Sequence, residues 1–169
     1  MNNAETNRLL QRISAGDNNA FAELYERTSR GVYAFLFSYL KNKADTEDAM
    51  QTVYLKIKMN ISQYKHGTNG RAWIFQIAKN HALNELKRNK RTESIEGMDF
   101  PSGGFEHGTV MDAMSRALSE DEQQIIILHV LWGYKHREIA DLLGCPTGTV
   151  TSKYKRAIAK MKNALKEDE

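Results

Sequence analysis

Residues 134–158 read Tyr134-Lys135-His136-Arg137-Glu138-Ile139-Ala140-Asp141-Leu142-Leu143-Gly144-Cys145-Pro146-Thr147-Gly148-Thr149-Val150-Thr151-Ser152-Lys153-Tyr154-Lys155-Arg156-Ala157-Ile158. The stretch predicts two helices and a tight turn. Ile139, Ala140, Leu142 and Leu143 give the first helix an apolar face. Gly144 ends it as a residue free to take positive φ, and Pro146 suits the first position of the next helix, where a missing N–H costs nothing. From there Val150, Tyr154, Ala157, Ile158, Met161 and Leu165 recur at helical spacing and predict a buried stripe. Gly148, Ser152, Lys155, Arg156 and Ala159 fall on the opposite face, with Lys160 at its edge. A helix with one apolar and one Ser/Lys/Arg face, set behind a short turn, has the pattern of a helix-turn-helix recognition helix. A plain helical hairpin with a solvated basic face is the simpler alternative.

Charge distribution supports contact with nucleic acid. The net charge of the 169-residue chain is only +3. Between Tyr134 and Lys166, however, Lys135, Arg137, Lys153, Lys155, Arg156, Lys160, Lys162 and Lys166 face only Glu138 and Asp141. Cations concentrated in this way suit a phosphate backbone. An apolar share of 41% supports a packed core, and the single cysteine, Cys145, excludes an internal disulfide and fits a reducing compartment. No signal peptide and no membrane-length apolar run stand out. The expected location is therefore cytoplasmic, without membrane insertion.

The first ninety residues contain no proline and show no β alternation, so the expected fold class is all-α. Leu9, Leu10 and Ile13 mark a short first helix ending near Gly16. Asp17 is placed to cap a second, with Phe21, Leu24, Tyr25, Val32, Phe35, Leu36, Tyr39 and Leu40 on its apolar face. Asp45 is placed to cap a third, whose buried side runs through Ala49, Val53, Ile57 and Ile61. A polar loop from Tyr64 to Gly70 precedes a fourth helix from Arg71 to about Arg91, apolar at Trp73, Ile74, Ile77, Ala78 and Ala82. Its basic end follows Trp73, Phe75, Asn80 and His81. Aromatics beside cations suit a single strand, which needs stacking surfaces and a positive track; Trp73 and Phe75 also read as core. Residues 92–108, rich in glycine and acids, predict a flexible acidic linker. Ser119-Glu120-Asp121-Glu122 predicts a capping box opening a helix that carries Ile125, Ile126, Leu128, Val130, Leu131 and Trp132 and closes at Gly133. The expected organisation is thus a helical bundle at 1–91, a linker at 92–108 and a four-helix helix-turn-helix domain at 109–169.

Three motifs in this order resemble the extracytoplasmic-function class of RNA polymerase sigma factors. Asp48-Ala-Met-Gln51-Thr-Val-Tyr-Leu55 is similar to that family's polymerase-docking segment, and Arg71-Ala-Trp-Ile-Phe-Gln-Ile-Ala-Lys-Asn80 to its promoter-opening segment. Ile139-Ala140, Gly144-Cys145-Pro146, Gly148-Thr149-Val150 and Ser152 resemble its reader of the upstream promoter element. Thr52 and Asn84 depart from the family's usual acids, and Thr151 and Ile158 from common basic positions. The resemblance implies that Asp45, Glu47, Asp48 and Gln51 face a coiled-coil of the largest polymerase subunit. It implies that Tyr64, Lys65 and Asn80 help hold a flipped base of the downstream element, while Lys79, Lys87, Arg88, Lys90 and Arg91 track phosphates. Ser152, Lys155 and Arg156 would enter the major groove, with Thr149, Thr151 and Lys153 beside them. Implied partners are core RNA polymerase, promoter DNA and, where one exists, an anti-sigma factor; no cofactor or metal is expected. A repressor or activator sharing only the helix-turn-helix is the alternative. An enzyme is not expected, since the five histidines show no metal-ligand spacing and no nucleophile stands beside a base.

Overall fold

The computed structural model describes residues 1–93 and 109–167 and divides the chain into two compact units, Met1–Gly103 and Gly104–Glu169. Among the described residues there is no strand. The first unit holds α1 (Asn3–Ser14), α2 (Asn18–Leu40), α3 (Lys43–Met59), a 3₁₀ turn at Ile61–Gln63 and α4 (Gly70–Glu93). Thr92 and Glu93 complete α4; the rest of the expected linker lies outside the described residues.

Helix α2 is the centre of this unit. From Gly31 to Leu40 almost every side chain is buried, the pattern of a helix covered on several faces, and α1, α3 and α4 all pack on it. Phe35 meets Phe75 of α4 with ring centroids 4.6 Å apart. Asp17 caps α2 as expected, its carboxylate accepting from Asn19 N and Ala20 N. The cap of α3 is instead Asn42, whose Oδ1 accepts from Asp45 N at 3.0 Å. Asp45 stands in the first turn, still in the favourable field of the helix N-terminus.

Buried hydroxyls supply core contacts that apolar periodicity does not reveal. Thr28 donates to Leu24 O, and Tyr54 OH lies 2.6 Å from Thr28 Oγ1. Ser38 likewise donates to Phe35 O. Burial pushes the Tyr54 phenol far up, so it stays a neutral donor.

Asn7 of α1 fastens the 64–70 loop. Its Nδ2 donates to Thr68 O at 2.7 Å, while its Oδ1 accepts from Tyr64 OH at 2.8 Å and from Gly70 N at 2.9 Å. The loop returns so closely that a Cβ on Gly70 would stand 2.6 Å from Asn7 Oδ1 and 2.8 Å from Leu10 Cδ1.

The second unit holds α5 (Thr109–Ala117), α6 (Glu120–Ile126), a π-helical turn at Ile127–Leu131, α7 (His136–Leu143) and α8 (Thr147–Glu167). The Ser119 capping box forms as expected. The expected single helix through Trp132 does not, because the π turn widens the coil, Trp132 N reaching back to Ile127 O. Ile127, Leu128 and Trp132 remain buried, whereas Val130 and Leu131 turn outward. Gly144 takes the left-handed conformation at φ 66° and ends α7. Pro146 precedes α8 by one residue rather than opening it, its carbonyl accepting from Thr149 N and Val150 N. The stripe of Val150, Ala157 and Met161 is buried; Tyr154, Ile158 and Leu165 are partly covered.

Gly70→Ala is expected to destabilise the first unit by about 1–3 kcal/mol, because overpacking displaces Asn7 or Leu10. Chemical denaturation of the two proteins, compared at equal m-value, checks it.

Candidate nucleic-acid interface

Helix α8 presents Ser152, Lys155, Arg156, Ala159 and Lys160 to solvent, opposite the stripe that anchors it. Lys155 and Arg156 make no ion pair among the described residues, so both cations are open to an anionic partner. The neighbouring side chains are more committed. Ser152 Oγ donates to Thr149 O at 3.1 Å. Thr151 Oγ1 donates to Thr147 O and lies 3.1 Å from His136 Nδ1. With its proton so used, the Thr151 hydroxyl accepts from His136 Nδ1–H. Burial, and then the nearby His129, hold the His136 pKa below its ordinary value, so the ring is neutral and Thr151 is tied inward.

Two further cations of α8 belong to an intramolecular pairing. Lys153 Nζ donates to Asp121 Oδ2, and Lys160 Nζ donates to both carboxylate oxygens of Glu122, at 3.0 and 2.8 Å. Glu122 is buried and also closes the Ser119 capping box. Burial pushes its carboxyl up, but the Lys160 hydrogen bond and the Ser119 N–H outweigh this and hold it below the usual carboxylate value.

In the first unit, α4 exposes Asn80, Lys87 and Arg88 and half-buries Lys79. Gln76 Nε2 donates to Asn80 Oδ1 at 2.7 Å, and Arg88 pairs with Glu85. The side chains of Lys90 and Arg91 lie outside the described residues. Phe75 and His81 are buried, so the stacking surface expected of them is absent; Phe75 belongs to the core formed with Phe35. Trp73 is partly covered and meets Tyr64 at 5.2 Å. Tyr64 is itself buried and bonded to Asn7, so its role here is to shape the loop, while Lys65 stands exposed upon it. Burial, then the ammonium of Lys56 at 3.4 Å, lower the His81 pKa.

Helix α3 exposes Asp45, Asp48 and Gln51, with Glu47 half-buried and 3.8 Å from Lys43. One and two turns beyond Gln51, the same face carries Leu55 and Met59, 57% and 70% exposed. Apolar periodicity could not single these out, since both residue types normally score as core. A cavity of about 200 Å³ between α3 and α4 gathers Asp45, Asp48, Thr52, His81, Glu85 and Arg88. It places two expected docking acids beside one expected phosphate-tracking cation.

The described structure thus consists of a helical bundle with an acidic-apolar face and a basic α4, and a second unit with a basic helix-turn-helix. Residues 24–92 match the family model described as Sigma-70 region 2, and residues 109–161 that described as Sigma-70, region 4. The ECF RNA polymerase sigma-E factor of Escherichia coli is 28% identical over 169 residues, covering 88% of each chain. The ECF RNA polymerase sigma factor SigK of Mycobacterium bovis is 24% identical, covering 93% of this chain and 91% of that protein. The fold matches the sigma factor RpoE of Bartonella quintana, solved with the anti-sigma factor NepR, with a TM-score of 0.67 at 24% identity. That match covers 88% of this chain and 98% of the other. The chain belongs to the sigma-70 family of RNA polymerase sigma factors, in its extracytoplasmic-function class. The alternative of a repressor or activator sharing only the helix-turn-helix is not favoured, because both sigma regions are present in order.

Glu122→Gln is expected to cost about 1–2 kcal/mol at neutral pH, through a weakened cap and a lost charge-assisted bond to Lys160. The contribution of a carboxylate with a depressed pKa is complete above its unfolded value, about 4.3, and disappears as pH falls through the folded value. The stability gap between wild type and variant should therefore narrow below about pH 4, as read by denaturant melts across pH.

Proposed function

We propose that α3 docks the polymerase, α4 engages the separated promoter strand and α8 reads the upstream element. The carrying observation is that Lys155 and Arg156 stand exposed opposite the buried stripe of α8. Arg156 is the base reader, because two parallel guanidinium donors match the paired acceptors of guanine. Thr149, Ser152 and Lys155 flank it. On α3, Asp45, Asp48 and Gln51 meet the polymerase coiled-coil with Glu47 beside them, and Leu55 and Met59 extend the contact with apolar area. Asn80 of α4 and the exposed Lys65 of the loop before it border the flipped-base site, while Lys79, Lys87, Arg88, Lys90 and Arg91 of α4 follow phosphates. The domain limits proposed are 1–91 and 109–169, with 92–108 as the connector.

Energetics make the polymerase necessary. Separating about ten base pairs costs on the order of 14 kcal/mol at roughly 1.4 kcal/mol per step. Stacking recovers about 1–3 kcal/mol per base, and the burial of Phe75 removes one candidate surface. One helix-turn-helix buries only about 600–1,000 Å² on DNA. A polymerase holding both units and the promoter together supplies the remainder as effective concentration.

The protein acts with polymerase in the cytoplasm and without catalysis of its own; no described helix is long and apolar enough to cross a membrane. An anti-sigma factor, of the kind bound by the Bartonella quintana protein, would restrain it by covering these faces.

Core polymerase with this chain should start transcripts from a cognate promoter; equally stable promoter binding by the free chain would count against the reading. Arg156→Ala should lose about 1–3 kcal/mol of preference at one upstream position, measured as holoenzyme affinity across single-base promoter variants. Replacing Leu55 and Met59 by Ala should change folding stability by less than about 0.5 kcal/mol, as exposed substitutions do. The same pair should weaken holoenzyme assembly, measured by competition for core polymerase. Alanine at Lys87, Arg88, Lys90 and Arg91 should weaken promoter opening and lower its salt dependence.

A further inference from the structure

Two acids in the first turn of α6 hold two cations of α8, although 32 and 38 residues separate the partners. The two pairs differ in how easily they exchange. The Glu122 side chain is only 6% exposed and is fastened by the capping box as well as by Lys160. Releasing Lys160 would leave a buried carboxylate without its cation, which is costly. The Asp121 side chain is 64% exposed, and Lys153 is its sole described ion-pair partner. Water and salt reach this pair readily, so little energy holds it together. Lys153 lies one residue beyond Ser152 on the helix that presents Lys155 and Arg156, at the flank where a DNA phosphate would compete for the same ammonium.

We propose that Asp121 is an intramolecular phosphate surrogate that restrains Lys153 and keeps sequence-independent DNA binding by α8 weak. While the pair is closed, Lys153 neutralises Asp121 and releases no counterion from DNA. When a phosphate takes the ammonium, Asp121 is left as an uncompensated negative charge close to the backbone. Both effects lower the affinity for any duplex, whatever its sequence. For a chain that depends on the polymerase to reach promoters, such a restraint limits retention on the far more numerous non-promoter sites. Glu122 does not share this role, since its cation is locked to a buried group.

The inference rests on the reading of α8 as the DNA-facing helix, and the test separates the two. The full chain is titrated with a non-promoter duplex between about 50 and 200 mM salt, the range in which phosphate contacts are counted from the slope of log K against log salt. Asp121→Asn should steepen the slope by about 0.9, equivalent to a roughly three-fold larger loss of affinity across that range. In a Lys153→Met background the same substitution should leave the slope unchanged. Asp121→Ser, which also removes the charge, should behave as Asp121→Asn does, and thermal melts establish that each variant is folded. A slope unchanged or made shallower by both Asp121 substitutions would overturn the restraint and make the acid an orienting partner of Lys153. Combined Lys155→Ala and Arg156→Ala should flatten the slope. If that pair flattens it while Asp121→Asn does not steepen it, only the restraint fails; if neither has an effect, the DNA-facing reading fails as well.

Discussion

A side chain on an α-helix has one direction, and α8 carries two faces with opposite demands, one apolar and one charged. Val150, Ala157 and Met161 are buried, and this anchoring fixes the rotation of the helix about its axis. Once rotation is fixed, Lys155 and Arg156 can only point outward. The hydrophobic effect thus orients the charged face without any contact to it, at about 1.5–3 kcal/mol for each large apolar side chain removed from water. Helices α5, α6 and α7 supply the surface against which the stripe is buried.

The same economy operates in the first unit. α2 is enclosed by α1, α3 and α4, which leaves the outer faces of α3 and α4 available for contact. On α3 that face combines carboxylates with exposed Leu55 and Met59, a mixture of steering charge and apolar area suited to a protein partner. On α4 it carries cations. Asn7 joins the start of the unit to the loop before α4 through three hydrogen bonds, so the entrance of α4 depends on a residue of α1. The burial of Phe75 and Tyr64 shows that aromatic rings near a basic run are not thereby stacking platforms; here they hold the helix and the loop that carry the cations.

Paired charges divide the basic residues of the second unit into different chemical kinds. Lys160 is tied to a buried carboxylate, Lys153 to an exposed one, and Lys155 and Arg156 to neither. Counting cations along the chain weighs all four alike. Their freedom to meet an anion depends on what α6 places beside them.

Much of the architecture was legible in the linear pattern. Helical spacing marked the buried stripe of α8, Asp17 and Ser119 announced two helix starts, and Gly144 announced a turn, because these signals act within a few residues of chain. Motif order was sufficient for the family, since both sigma regions carry local spacing of their own. The Asn42 cap of α3 and the π turn that sends Val130 and Leu131 outward are local contacts that helical spacing did not single out; tertiary structure alone turned Thr151 toward His136. It alone brought Asn7 to residues 64–70 and Asp121 and Glu122 to Lys153 and Lys160. Those partners lie 32 to 63 residues apart, and no local periodicity encodes a contact made only when separate helices pack.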